Sequence, residues 1–158
     1  GKLNRFDHND LGWNYRMTNM QAALGLSQLR NIKQVVKKKM HIGNRYFHRL
    51  KKNKNIQILP PYNSFSKNIY WIVGIVIKNK KIQTSKVVKK LLSFGIQTRP
   101  FFWPMNEQKI FKKLKIFNKT KYPNSKYLSR KGFYLPSYFK LKNEEIDYIC
   151  RIINKIIK

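Results

Sequence analysis

At 158 residues, with 35 Lys and Arg against six Asp and Glu, the chain carries a formal net charge of +29. That length suits one domain with a real core; its apolar runs fall far short of the ~20 residues a membrane-spanning helix needs; no apolar stretch follows its start to make a secretory signal; and a lone cysteine, Cys150, excludes a disulfide framework and fits a cytoplasmic setting. The charge makes a basic nucleic-acid-binding module the alternative reading, but the lysines lie scattered at helix faces and turns, and Lys, Ile and Asn are enriched together as an AT-rich gene would give, so neither nucleic acid nor membrane is expected as a partner.

Residues 1–17 mix turn-formers (Asn9, Asp10, Gly12) with aromatics, and without an initiator Met the chain is expected to be a piece of a longer one. Thr18-Asn19-Met20-Gln21 is a capping box, and Ala22-Ala23-Leu24 continue a helix. Leu29, Ile32, Val36, Met40, Gly43, Phe47 and Leu50 recur at steps of three and four, which predicts one long helix with a buried stripe, bent or broken near Gly43. After Pro60-Pro61, the β-branched and aromatic run Ile69–Ile77 predicts a strand covered on both faces. A helix over Thr84–Phe94 is capped by Thr84 or Ser85 and stopped by Gly95. Ile96–Thr98 reads as a short strand, and Phe101-Phe102-Trp103-Pro104 as an aromatic, proline-locked loop. Residues 107–122 hold a short helix and a polar connection; Pro123–Gly132 is a helix; Phe133–Pro136 is strand-like. A closing helix starts at a capping Asn143, has Glu144 and Glu145 in its first turn, and carries the stripe Ile146, Ile149, Ile153 and Ile157. Cys150 lies among its apolar residues and reads as a buried, inert thiol. Strands between helices make an α/β or α+β domain. His41 and His48 lack a third ligand for a metal site, and no carboxylate pair offers acid–base chemistry.

The run Gly12-Trp13-Asn14-Tyr15-Arg16-Met17-Thr18-Asn19-Met20-Gln21-Ala22-Ala23-Leu24-Gly25, extended by Ser27-Gln28-Leu29, resembles a signature of the DegT/DnrJ/EryC1/StrS family of pyridoxal-phosphate (PLP)-dependent aminotransferases. Gly95–Phe102, Tyr134-Leu135-Pro136-Ser137 and Glu144–Ile149 agree with that family in order and spacing, closest to its perosamine synthase-like group. The resemblance implies a C-terminal part of a fold-type I aminotransferase: residues 1–17 lead out of a large domain, and residues 18–158 form a long interdomain helix plus the small α+β domain. It implies a homodimer in which the Schiff-base lysine lies upstream of the signature, outside this chain, which alone is then inactive. The implied reaction moves an amino group, usually from glutamate, to a nucleotide-linked 4-keto-6-deoxy sugar for surface polysaccharide such as lipopolysaccharide.

Within that frame Asn14 is expected to reach the PLP phosphate across the dimer, as a neutral amide donor that leaves the lysine's ionisation undisturbed. Arg16 sits at the positive end of a helix, where a cation is disfavoured, so it is expected to meet an anion such as the sugar-nucleotide diphosphate or a carboxylate of the large domain. Tyr15, Arg99, Phe101, Phe102, Trp103 and His8 are the further candidates for the sugar-nucleotide pocket.

Overall fold

In the computed structural model, which describes residues 6–117 and 121–158, helix α6 (Asn143–Ile156) shows most simply how the chain folds. Its isoleucines at 146, 149, 152 and 153 are buried together with Cys150, at the three- and four-residue steps that put side chains on one helix face. Helix α2 (Ile32–Leu50) meets that face with Ile42, Tyr46 and Leu50, all fully buried. Beside the apolar seam, Asp147 takes two bonds from Arg45 (2.8 and 2.6 Å) and one from Arg49 (2.8 Å). The Arg45 hydrogen bonds hold the Asp147 carboxyl below the usual carboxylate range. Burial raises the Cys150 thiol to about 12, so it stays protonated and inert, as its surroundings in the sequence imply.

The two helices lie on a four-stranded antiparallel sheet in the order β1 (Ile56–Ile58), β2 (Val73–Ile77), β4 (Gly132–Leu135), β3 (Arg99–Pro100). Side chains alternate across a strand. Val73, Ile75 and Ile77 of β2 and Phe133 and Leu135 of β4 therefore join the helical core. Helix α3 (Thr84–Ser93) adds Val87 and Leu91 to it, and ends at Gly95, whose φ of +74° suits glycine. On the opposite face Gly74 and Gly132 leave a shelf: a Cβ on either would fall 2.9 Å or 2.4 Å from the Phe101 ring. Phe101 lies there and stacks on Tyr134 with centroids 4.6 Å apart. A 3-10 turn (Met105–Glu107) and the short helices α4 (Lys109–Lys113) and α5 (Pro123–Lys131) complete the domain.

The mixed helix and antiparallel sheet agree with the expected α/β class with an α+β small domain, and several elements depart from expectation. The leading helix breaks at Arg30-Asn31 and not near Gly43, so α1 spans Asn19–Leu29. Asn31, at φ −106° and ψ 10°, separates the two helices. Gly43 is instead packed beneath the Tyr70 ring. The predicted buried stripe holds only in the C-terminal half of α2; Leu29 and Ile32 are exposed, because nothing in the described chain covers them. The strand expected over Ile69–Ile77 begins at Val73, since Tyr70 turns left-handed (φ 51°) to fill the space over Gly43. Ile96–Thr98 is not a strand; the pairing falls on Arg99-Pro100, opposite Tyr134 and Phe133. Strand β1 has no counterpart in the predicted elements.

Two caps also differ. Gln83 precedes α3 without a side-chain cap, and Thr84 Oγ1 is buried and unpaired among the described residues. Lys142, not Asn143, is the N-cap of α6, its N–H donating to Glu145 at 2.7 Å, while Asn143 Oδ1 pairs with His41 Nε2 at 2.8 Å. The polar connection predicted within 107–122 includes residues 118–120, outside the described residues. No described helix is long and apolar enough to cross a membrane.

Candidate active site

The run that carries Asn14 stands away from the core. Residues 11–17 have no regular structure and face solvent, with Trp13 80 % and Tyr15 83 % exposed. A turn-forming Asn would satisfy its own backbone, yet among the described residues the Asn14 amide and the Arg16 guanidinium have no internal partner. The extended stretch ends at Thr18, whose Oγ1 accepts from Gln21 N–H (3.3 Å) while Gln21 Oε1 accepts from Thr18 N–H (2.8 Å). That is the capping box expected from the sequence, and it fixes the start of α1. Helix α1 buries no residue: Met20, Leu24, Leu26 and Leu29 are all exposed. Grouped exposed apolar side chains of this kind are uncommon on soluble monomers.

A cleft of about 600 Å³ opens along the β3 edge of the sheet. Arg99 supplies its cation, and Phe6, Trp71, Phe102, Tyr134 and Tyr138 wall it, with Pro136 and Ser137 of the turn after β4 also lining it. Arg99 reaches it because its strand is the outermost one and pairs only with β4. Desolvation raises the Tyr134 phenol, while the Phe102 backbone N–H lowers it. Lys39 of α2 donates to Ser137 O (2.6 Å) and Ser137 Oγ (3.0 Å) beside this cleft, and burial lowers its pKa.

The predicted aromatic loop is divided by the fold. Phe102 lines the cleft, in ring contact with Phe6 at 4.8 Å. Phe101 lies on the two-glycine shelf, in a separate hollow of about 400 Å³ with Leu59, Tyr70 and Leu128. Trp103 is covered by the Arg130 guanidinium, 3.8 Å from its ring, and donates to Glu107 O at 3.2 Å. His8 is exposed, with its backbone N–H bonded to Gln108 Oε1. Phe6, Trp71 and Tyr138 were not among the candidates read from the sequence. Trp71 falls within the strand expected over Ile69–Ile77, and Phe6 carries no motif.

The architecture defines a class of protein. The chain superposes on the PLP form of the sugar aminotransferase Spr1654 from Streptococcus pneumoniae, described as putative, with a TM-score of 0.78 at 22% identity, covering 89% of this chain and 36% of that one. On Helicobacter pylori PseC, an aminotransferase involved in the biosynthesis of pseudoaminic acid, the TM-score is 0.77 at 23% identity, covering 94% and 39%. The fold is thus that of PLP aminotransferases. Residues 1–154 match the DegT/DnrJ/EryC1/StrS aminotransferase family, and the chain belongs to it. It is 32% identical over 151 residues to a GDP-perosamine synthase of Escherichia coli O157:H7 and 29% identical over 150 residues to one of Vibrio cholerae. In both, the match covers 94% of this chain but only 38% and 40% of the relative.

PLP is the cofactor of these enzymes, and Spr1654 has been solved in both PLP and PMP forms. The described residues fit part of such a group. The free Asn14 amide offers two N–H donors to a phosphate, and Arg16 and Arg99 offer cations. Lys39, beside the cleft, has its ammonium committed to Ser137, and burial lowers its pKa.

Proposed function

We propose that this chain forms the C-terminal part of a PLP-dependent aminotransferase acting on a nucleotide-linked 4-keto-6-deoxy sugar, in cytoplasmic synthesis of surface polysaccharide. When bound, PLP supplies the electron sink for amino transfer. This chain holds and walls. Asn14 donates to the cofactor phosphate across a homodimer, Arg16 meets the diphosphate of the sugar nucleotide, and Tyr15 and His8 line the approach. Arg99 and Phe102 form one wall of the sugar-nucleotide pocket, with Phe101 and Trp103 stiffening the loop behind them. Residues 1–17 lead out of the large domain, and α1 lays its exposed apolar side chains on it. The amino donor is glutamate, and the lysine that moves protons lies in the large domain.

The observation that carries this reading is the unpartnered Asn14 amide in an extended, exposed run that ends at a well-capped helix. A structural asparagine would be tied to its own turn. In a full-length enzyme reconstructed with this chain as its C-terminal part, Asn14→Ala is expected to weaken PLP retention by roughly tenfold, the loss of about one charge-assisted hydrogen bond. Equilibrium dialysis against PLP measures it, and unchanged retention removes the cofactor role of Asn14.

A further inference from the structure

We propose that Gln108 is a positioning residue that sets where the Asn14-Tyr15-Arg16 run leaves the domain relative to the Arg99 cleft. Gln108 is a buried polar residue, 5% exposed. A buried amide must have partners for both its ends, and Gln108 finds them in backbone about a hundred residues upstream. Its Oε1 accepts from His8 N–H at 2.8 Å, and its Nε2 donates to Phe6 O at 2.6 Å. The identity of the partners fixes the amide orientation, because an N–H must meet oxygen and a carbonyl must meet nitrogen. The result is a two-point clamp on one short piece of main chain.

Other contacts close around the same piece. Ile110 N–H donates to His8 O (3.4 Å), and Lys109 pairs with Asp7 (3.3 Å). Phe6 has a φ of 71°, a region L-residues avoid; such a conformation persists where the surroundings over-determine it. The ring of Phe6 in turn packs on Phe102 in the cleft wall. Gln108 stands at the end of the turn that begins after Pro104, close in sequence to Phe102. One side chain thus binds the start of the Asn14 segment to the loop that forms the cleft. The next fixed point downstream is the Thr18 cap. Between them, residues 9–17 make no hydrogen bond among the described residues. The position of Asn14 is therefore set from its two ends, and Gln108 sets one of them.

The functional half of this proposal rests on the cofactor reading of Asn14, and the test separates the two. Gln108→Met keeps the volume and removes both hydrogen bonds. In the 158-residue chain, it is expected to speed exchange of the His8 amide, followed by NMR, at least tenfold, while the core amide of Ile153 keeps its protection. In the reconstructed enzyme, Gln108→Met should reduce PLP retention as Asn14→Ala does, and the double variant should be no worse than Asn14→Ala alone, since the two act through one contact. Unchanged His8 exchange overturns the clamp; losses of retention that multiply overturn the positioning role. If Asn14→Ala alone leaves retention intact, the cofactor reading fails and the clamp stands or falls on exchange. If Ile153 also loses protection in Gln108→Met, Gln108→Glu replaces it: it keeps the acceptor for His8 and, as a carboxylate, loses the donor to Phe6. Exchange between that of the unaltered chain and that of an unclamped segment is then expected, and exchange equal to the unaltered chain overturns the proposal.

Discussion

Phe133→Ala is expected to lower the unfolding free energy by ~3–5 kcal/mol, the cost of truncating a buried aromatic without collapse of the space it leaves. Phe133 is fully buried at the centre of the sheet, paired across β4 to Ile75 on one side and Pro100 on the other. Ile75 and Pro100 face it from the strands on either side, and the Phe101 N–H bond to Gly132 O ties β3 to β4, so the cavity cannot close by sliding a strand. Domains of this size have only ~5–15 kcal/mol in total, and this one carries +29 charges and an exposed apolar α1. The variant should therefore be largely unfolded well below the parent's urea midpoint. A loss under about 1 kcal/mol, which is typical of surface sites, would contradict the packing described. Because Phe133 precedes Tyr134, the cleft wall would be lost with the strand.

Gly43→Ala sets two effects against each other. In a helix interior, alanine gains about 1 kcal/mol over glycine. Against that, a Cβ at position 43 would fall 2.0 Å from Cγ of Tyr70. Tyr70 cannot step aside cheaply. It is 2% exposed, its hydroxyl donates to Leu59 O at 3.1 Å, and its N–H is held by Asn68 Oδ1 at 2.8 Å. Displacing it should cost more than the ~1–3 kcal/mol of ordinary overpacking, so destabilisation wins, by about 2 kcal/mol net. Thermal unfolding reads the result. Gly43→Ala in a Tyr70→Ala background removes the clash and leaves only the propensity gain, so there the substitution should stabilise. A stabilising Gly43→Ala in the parent would mean that Gly43 is a helix weak point, the role its composition suggests, and not the floor of a packed ring.

These two positions show what the sequence made legible and what it did not. Period and caps reveal helices when their partners lie in the same segment. Thr18 with Gln21, Gly95 at the end of α3, and the isoleucine stripe of α6 were all readable that way. Gly43 was read as a break because its partner, Tyr70, lies across the fold and the contact has no local signature. The same distance hid Gln108, whose backbone partners are about a hundred residues away. Strand β1 escaped because Ile56-Gln57-Ile58 is only three residues long and is flanked by lysine and asparagine on one side and Pro60-Pro61 on the other. Glycines inside strands often mark a close approach, and Gly74 and Gly132 could have shown that Phe101 belongs on the sheet. For the candidate site, Asn14 and Arg16 stand out in the sequence as residues without an evident structural reason, and Arg99 as a cation beside a proline-stiffened aromatic loop. The cleft that gathers Phe6, Trp71 and Tyr138 around Arg99 needed the fold.

The central claim is that this chain holds and walls a cofactor whose bonding lysine lies elsewhere. Titrating the 158-residue chain with PLP, reducing with borohydride and mapping the labelled lysines by mass spectrometry tests it most directly. Only scattered, unsaturable labelling of surface lysines is predicted, with no dominant position. One equivalent of label on a single lysine at micromolar PLP would contradict the account, and Lys39, the desolvated lysine beside the cleft, is the position where such a result would be most damaging.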